Sequence, residues 1–106
     1  KDFPCRGRRI AVLSDMLELG ETSRQSHLEV GRLAARCADV LFCWGEEAKH
    51  YAEGFETVKP GAYYFEDKKE FARRLTEFLQ PGDAVWLKAS RGMKLEEVVR
   101  AIYEEC

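Results

Sequence analysis

A cluster of basic and hydroxyl side chains lies between the last apolar run of the chain and its last helical pattern. Lys88, Ser90 and Arg91 follow "AVWL" (84–87) and precede "KLEEVVRAIYEE" (94–105). The unpaired N–H groups and the dipole of a helix N-terminus favour anions, and a guanidinium can bind both oxygens of a carboxylate. This turn therefore predicts an anion-binding site. Plainer interpretations stay open: Lys88 and Arg91 as solvated charges, and Ser90 as the cap of the helix.

A second polar segment, "SDMLELG" (14–20), follows the apolar run "IAVL" (10–13). It offers the carboxylates of Asp15 and Glu18 and places the apolar Met16 beside them. Equally open is that Asp15 caps a local turn and that Met16 only pins the loop to the body of the domain. His27 and His50 lie on helical patterns without a partner in the sequence, so we expect them to be structural or exposed.

The elements that must position these two loops follow from hydrophobic periodicity. Strands are predicted at 9–14, 39–44, 62–65 and 84–88, alternating with helices at 22–37, 45–54, 67–79 and 94–105. Capping boxes are expected from Thr22 and Gln25 and from Asp67 and Glu70, and Gly54 is expected to end the second helix.

The order βαβαβαβα predicts an α/β fold of Rossmann-like type, with a doubly wound, mostly parallel sheet and helices on both faces. In such sheets ligands bind at the carboxyl ends of the strands. Both polar loops leave such ends, so we expect Asp15 and Met16 on one side of a binding site and Lys88, Ser90 and Arg91 on the other.

Composition restricts the class of protein. The chain has 106 residues, an apolar fraction of 45% and a net charge of -2, which indicates one globular domain without a broad field for nucleic acid or anionic lipid. No apolar run is long enough to span a membrane. The four cysteines form no CxxC pair and have no histidine at metal-ligand spacing, so we expect free thiols, no metal site and a cytoplasmic location.

Known catalytic motifs are absent from the sequence. It contains no GxxxxGK[ST] phosphate loop, no GxGxxG, no zinc pattern and no nucleophile elbow. We therefore expect no complete catalytic set in this chain.

The two loops together carry a resemblance that covers nearly the whole chain. "RRIAVLSDMLELGETSRQSH" (8–27) and "PGDAVWLKASRGMKLEEVV" (81–99) resemble the C-terminal domain of the Mur ligase family, whose loops read roughly GDMLELG…H and VKGSRGMKxE. Within the family, the resemblance is greatest to the ligases that add D-alanyl-D-alanine to UDP-MurNAc-tripeptide. The chain departs from the pattern at Ser14 and Ala89, where the family usually has glycine.

The resemblance implies an ATP-dependent amide ligase of peptidoglycan precursor synthesis. Residues 1–106 would be a single C-terminal domain of a longer chain, without the UDP-sugar-binding and central ATPase domains, and inactive in isolation. The substrate carboxylate would be phosphorylated to an acyl phosphate, which the incoming amine attacks. ATP and Mg²⁺ would be bound mainly by the central domain, and the C-terminal domain would close over it. Asp15, Met16, Lys88, Ser90 and Arg91 would face the closed site.

Three alternatives remain open from the sequence. One is a related Mur or folylpolyglutamate-type ligase domain with another amine substrate. The others are a free-standing receiver-like domain, with Asp15 and Lys88 at strand ends, and a non-catalytic anion-binding module.

Overall fold

The structure is a computed structural model that describes residues 8–16, 20–89 and 94–105, with the backbone alone for 86–89 and 105. Its strands are β1 (Arg9–Ser14), β2 (Val40–Trp44), β3 (Ala62–Phe65) and β4 (Ala84–Ala89). They alternate with the helices α1 (Ser23–Ala35), α2 (Lys49–Glu56), α3 (Lys68–Phe78) and α4 (Leu95–Glu105), and a short 3-10 turn (Gly20–Thr22) precedes α1. The predicted alternation and the bounds of β1 and β3 are confirmed.

The four strands form one parallel sheet in the order β3-β2-β1-β4. The chain first moves outward from β1 to β2 and β3, and then returns across the sheet to place β4 on the other side of β1. The point where the strand order reverses therefore lies between β1 and β4. The predicted doubly wound α/β fold is confirmed.

Helices cover both faces of the sheet, but unequally. On one face, α1, α2 and α4 pack on alternate strand residues such as Leu13, Leu41 and Cys43, which are fully buried. On the other face, α3 packs on Ile10, Val12, Val40 and Phe42 through Phe71, Leu75 and Phe78. The first face contains the larger of the two apolar clusters, and α1 and α2 lie in close contact there.

Two glycines allow α1 and α2 to approach each other closely. A Cβ at Gly31 would overlap the backbone carbonyl of Tyr51, and a Cβ at Gly54 would overlap that of Leu28. Gly54 lies inside α2 rather than at its end, so the prediction that it stops this helix is wrong. The glycine is there because backbone of the neighbouring helix fills the space of a side chain.

The predicted capping boxes have different outcomes. Asp67 accepts a hydrogen bond from the backbone N–H of Glu70 at 2.9 Å, as predicted. Thr22 makes no side-chain cap hydrogen bond, because the 3-10 turn leads directly into α1 and leaves Thr22 with φ -91° and ψ 2°. The Thr22–Gln25 box is therefore wrong, and the side chain of Gln25 bonds Glu29 instead.

The cysteines also differ from expectation. Cys43 is a free, buried thiol whose pKa is raised by burial, as expected for a small hydrophobe. Cys37 is disulfide-bonded, so the expectation of free thiols is wrong. The cysteines thus no longer support a cytoplasmic location. No helix in the described part of the chain is long and apolar enough to cross a membrane.

Candidate functional site

The two polar loops identified in the sequence leave the sheet from neighbouring strands. β1 and β4 pair in parallel, with Val12 opposite Lys88 and Leu13 opposite Ala89. The carboxyl ends of both strands thus lie side by side where the strand order reverses, which is where open α/β sheets bind ligands. We call this side of the sheet the carboxyl edge. The prediction that both loops leave the sheet at one edge is confirmed, whereas residues 17–19 and 90–93 of these loops lie outside the described residues.

The basic side of the predicted site lies mostly outside the described residues. Lys88 lies in β4, which ends one residue later than predicted, and only its backbone is described. Ser90 and Arg91 lie outside the described residues, so their predicted roles stay predictions.

Asp15 lies directly after β1 and is 9% exposed. Its Oδ2 accepts the backbone N–H of Glu46 at 2.9 Å, and its Oδ1 accepts that of Glu47 at 3.0 Å. Both N–H groups belong to the turn between β2 and α2, so the carboxylate joins the ends of two adjacent strands. This is the turn-capping interpretation of Asp15, across 31 residues of sequence rather than locally.

Gly45 makes this arrangement possible. Its φ of 127° is a conformation that side-chain-bearing residues rarely adopt, and a Cβ there would overlap the carboxylate of Asp15. Its carbonyl accepts the hydroxyl of Tyr64 at 2.7 Å, and its N–H donates to the carbonyl of Phe65 at 3.1 Å. The β2–α2 turn is therefore fixed from β3 on one side and from Asp15 on the other.

Met16 faces the body of the domain. Its side chain is 7% exposed and belongs to the apolar cluster under α1, α2 and α4. Its backbone N–H donates to Nε2 of His27 at 3.2 Å. The side chain thus pins the loop, as the plainer interpretation of Met16 held.

His27 is the functional candidate that the sequence did not reveal. The ring is fully buried, and Nδ1 lies 2.7 Å from the carbonyl oxygen of Ser23 in the preceding turn of α1. A carbonyl can only accept, so Nδ1 carries the proton and Nε2 is free to accept the N–H of Met16. Burial lowers the pKa of His27, which keeps the ring neutral at pH 7. The expectation that this histidine has no partner is wrong, whereas its structural role is confirmed.

Tyr51 reaches the same loop from α2. Its hydroxyl donates to the carbonyl of Ser14 at 2.9 Å, and its ring lies 4.7 Å from that of His27 between centroids. The residue is fully buried, and burial raises the pKa of its phenol. The two contacts of this loop are separated by 11 and 37 residues of sequence. The only sequence signal for His27 was its place in the Mur ligase pattern.

A chain of polar side chains links the first turns of α1 and α2. The hydroxyl of Ser23 donates to Glu47 at 3.1 Å, and Nε2 of His50 lies 3.8 Å from the same carboxylate. Nδ1 of His50 lies 3.0 Å from Glu53, and the His50 contact lowers the pKa of that carboxyl. His50, at 9% exposure, is therefore partnered, contrary to expectation.

Ser14 replaces the glycine usual in the family pattern without backbone strain. It ends β1, no described non-glycine residue has a positive φ, and its hydroxyl donates to the carbonyl of Trp44 at 3.2 Å. The substitution therefore adds a hydrogen bond between β1 and β2. Ala89 lies within β4, paired with Leu13, so its backbone is extended.

The described side chains do not form a metal site. No group of three histidine, cysteine or acidic residues within the described ranges could hold an ion, and the Asp15 oxygens each accept a backbone N–H. The arrangement can shape one wall of a binding site.

Comparisons with known proteins agree with this picture. A family model described as "Mur ligase, glutamate ligase domain" matches residues 1–91. The chain is similar to proteins named UDP-N-acetylmuramoyl-tripeptide--D-alanyl-D-alanine ligase from Bacillus subtilis (strain 168), at 37% identity, and from Escherichia coli (strain K12), at 33%. One of the same name from Borreliella burgdorferi is 26% identical. The alignments cover 92% of this chain and 22%, 22% and 21% of those relatives, so the chain spans about a fifth of their length.

Proposed function

The chain belongs to the Mur ligase family, and we propose that residues 1–106 form the C-terminal domain of an ATP-dependent amide ligase of peptidoglycan precursor synthesis. The domains for the UDP-sugar substrate and for ATP would lie elsewhere in the same polypeptide. Two facts support the proposal. The three relatives carry the same ligase name, and the chain covers only about a fifth of their length, which is the size expected of one domain.

The proposed reaction joins D-alanyl-D-alanine to UDP-MurNAc-tripeptide. ATP with Mg²⁺, held mainly by the central domain, supplies the phosphoryl group that converts the tripeptide carboxylate into an acyl phosphate and leaves ADP. The amine of the dipeptide then attacks the acyl carbon, and the tetrahedral intermediate expels inorganic phosphate. Because an acyl phosphate hydrolyses in water, the reaction needs a domain that closes over it.

One geometric observation carries the role of this chain: β1 and β4 are neighbours at the point where the strand order reverses. We propose that Lys88, Ser90 and Arg91 present cations and a hydroxyl to the phosphates or to the dipeptide carboxylate. Asp15 and Met16 would build the opposite wall through their backbone, since the Asp15 carboxylate and the Met16 side chain are already occupied. We also propose a cytoplasmic location, on the ground that such a reaction uses ATP and a nucleotide-linked precursor.

The test begins with the protein that carries this chain in its source cells. It would be purified with an antibody raised against residues 1–106 and sized against the 12.2 kDa of the chain. Its ligation of UDP-MurNAc-tripeptide would then be followed by phosphate release and by product mass, with D-alanyl-D-alanine, single amino acids and glutamate as competing amines. A heavier protein that prefers the dipeptide supports the proposal. Preference for another amine would identify a related ligase, and a protein the size of this chain would overturn the ligase role.

A substitution tests the basic turn. Arg91→Ala in the full-length protein should lower kcat/KM about tenfold to a hundredfold, the range expected when a charge-assisted hydrogen bond is lost. The matched control is Arg100→Ala, which removes an exposed arginine from α4. Equal kinetics of the Arg91→Ala protein and the wild type would remove Arg91 from the site.

A further inference from the structure

The backbone on each side of Asp15 is held by a buried side chain that the proposed chemistry does not use. Upstream, the carbonyl of Ser14 accepts the hydroxyl of Tyr51 at 2.9 Å. Downstream, the N–H of Met16 donates to Nε2 of His27 at 3.2 Å. His27 and Tyr51 are both fully buried, and their rings lie 4.7 Å apart.

We propose that His27 and Tyr51 are positioning residues for ligation, which fix the peptide groups before and after Asp15 and so set the wall that faces the incoming amine. This inference rests on the proposed function. Neither residue would touch a substrate, because both lie under the loop and are fully buried.

The chemistry of the imidazole supports a positioning role over simple packing. A leucine or phenylalanine would fill the space between α1 and α2, but it would leave the N–H of Met16 and the carbonyl of Ser23 without their side-chain partner. The neutral ring satisfies both, because it donates from Nδ1 and accepts at Nε2. The pairing also requires neutrality, since a protonated ring would present an N–H to the N–H of Met16.

The charged and polar groups around His27 come from several elements. Asp15 and Glu47 lie on the loops after β1 and β2, His50 lies on α2, and Ser23 lies on α1 itself. The acids favour the protonated ring, whereas burial, the largest influence on its pKa, favours the neutral ring. The ring is therefore neutral, and its hydrogen bonds with Ser23 and Met16 select the tautomer that carries the proton on Nδ1.

Two substitutions separate positioning from packing. The side-chain amide of glutamine reaches the place of Nε2, so His27→Gln can again accept the N–H of Met16. The amide of asparagine reaches only the place of Nδ1, so His27→Asn keeps the contact with Ser23 and loses the contact with Met16. Both replace the ring with a polar amide, which makes each the control for the other. Tyr51→Phe tests the second contact while it keeps the ring against His27.

The first readout is amide hydrogen exchange of Met16 in the 106-residue chain, measured by NMR below the unfolding transition. Exchange in His27→Asn should be about tenfold faster than in the wild type, which corresponds to the loss of one hydrogen bond, and His27→Gln should stay within about threefold of the wild type. Equal exchange of Met16 in the two variants would overturn the positioning role.

The second readout is ligation by the full-length protein at a temperature where every variant is folded. His27→Asn and Tyr51→Phe should raise KM for the incoming amine about tenfold more than they lower kcat, and His27→Gln should restore most of the loss. An active wild type with unchanged KM in His27→Asn and Tyr51→Phe would overturn the positioning role alone. A wild type that forms no amide would overturn the proposed function, and the exchange of Met16 would still report whether His27 holds the loop.

Discussion

The sheet has one edge at the carboxyl ends of its strands and one at their amino ends, and both are held together by carboxylates that accept backbone N–H groups. The two edges differ in which groups compensate the negative charge of these carboxylates. At the carboxyl edge, Asp15 accepts two backbone N–H groups of the neighbouring turn. At the opposite, amino edge, Asp39 accepts the N–H of Arg9, and Asp83 accepts those of Arg8 and Gln80. In each case a carboxylate bridges from one segment of backbone to another.

The positive groups that compensate these carboxylates differ between the two edges. The guanidinium of Arg8 bonds Asp83 at 2.6 Å and lies 3.9 Å over the ring of Phe78, while Arg9 pairs with Asp39. Asp15 has no lysine or arginine partner within 4.0 Å among the described side chains. Its neighbours are backbone amides, a neutral histidine and the acids Glu46 and Glu47. The carboxyl edge therefore keeps negative charge next to β4, the strand that contains Lys88.

The largest loss of stability is expected when the glycine of the carboxyl edge, Gly45, is replaced, and Gly61 of the amino edge is its control. Gly45 and Gly61 have nearly equal φ angles of 127° and 118°, but a Cβ at Gly45 would overlap the Asp15 carboxylate, whereas one at Gly61 would meet the carbonyl of Asp39 at 3.1 Å. Gly45→Ala should lower the free energy of unfolding by about 3 kcal/mol, from backbone strain plus overpacking. Gly61→Ala should cost about 1.5 kcal/mol, mainly from strain. Urea unfolding of the two variants measures both.

The same pair also tests the functional difference between the edges. At a temperature where both variants are folded, Gly45→Ala should lower kcat/KM for ligation in the full-length protein, because the Asp15 carboxylate must move. Gly61→Ala should leave kcat/KM close to that of the wild type. Equal losses of stability and of activity in the two variants would show that the contact between Gly45 and Asp15 has no special role.

Local signals in the sequence predicted the elements of this fold well. β1 and β3 read as short apolar runs, and the Asp67–Glu70 cap needs only residues three apart. The predictions failed at residues whose conformation depends on an adjoining turn or a neighbouring helix. Thr22 is the last residue of a 3-10 turn, which removes the capping conformation, and Gly54 faces backbone of another helix instead of ending its own.

The candidate site was predicted in outline and not in its contacts. That the loops after β1 and β4 share an edge follows from a parallel sheet, although which strands are neighbours depends on the direction of each crossover. The contacts of His27 and Tyr51 with the loop after β1 join residues 11 and 37 positions apart, and the crossing of α1 and α2 brings them together. No periodicity in the sequence encodes that crossing.

The two edges should also lose stability in different ranges of pH. Burial lowers the pKa of His27 from its ordinary 6.5. Above pH 6.5 the ring is neutral in both folded and unfolded chains, and its contribution to stability is fully present. As pH falls from 6.5 toward the folded-state pKa, the unfolded chain binds a proton that the folded chain does not, so stability decreases. The hydrogen bond from Arg8 lowers the pKa of Asp83, so the amino edge weakens only below its ordinary 3.8.

Urea titrations between pH 7.5 and 3 would separate these contributions. The stability of His27→Gln should fall less than that of the wild type between pH 6.5 and the folded-state pKa of His27. Asp83→Asn should flatten the decrease only below pH 3.8. If His27→Gln followed the wild type throughout the first range, the imidazole would not be the group that makes the carboxyl edge sensitive to mild acid.

The smallest effect is expected where the amino edge is most exposed. Arg9 and Asp39 pair at 3.7 Å with side chains that are 36% and 44% exposed, so solvent screens their attraction. Arg9→Ala should therefore change the free energy of unfolding by only about 0.5 kcal/mol or less. Asp39→Ala should cost about 1 kcal/mol, because it also removes the acceptor of the Arg9 N–H at 2.8 Å. If urea unfolding showed a larger loss for Arg9→Ala, charge pairing rather than carboxylate–amide bonding would hold the amino edge. The two edges would then differ in mechanism and not only in compensation.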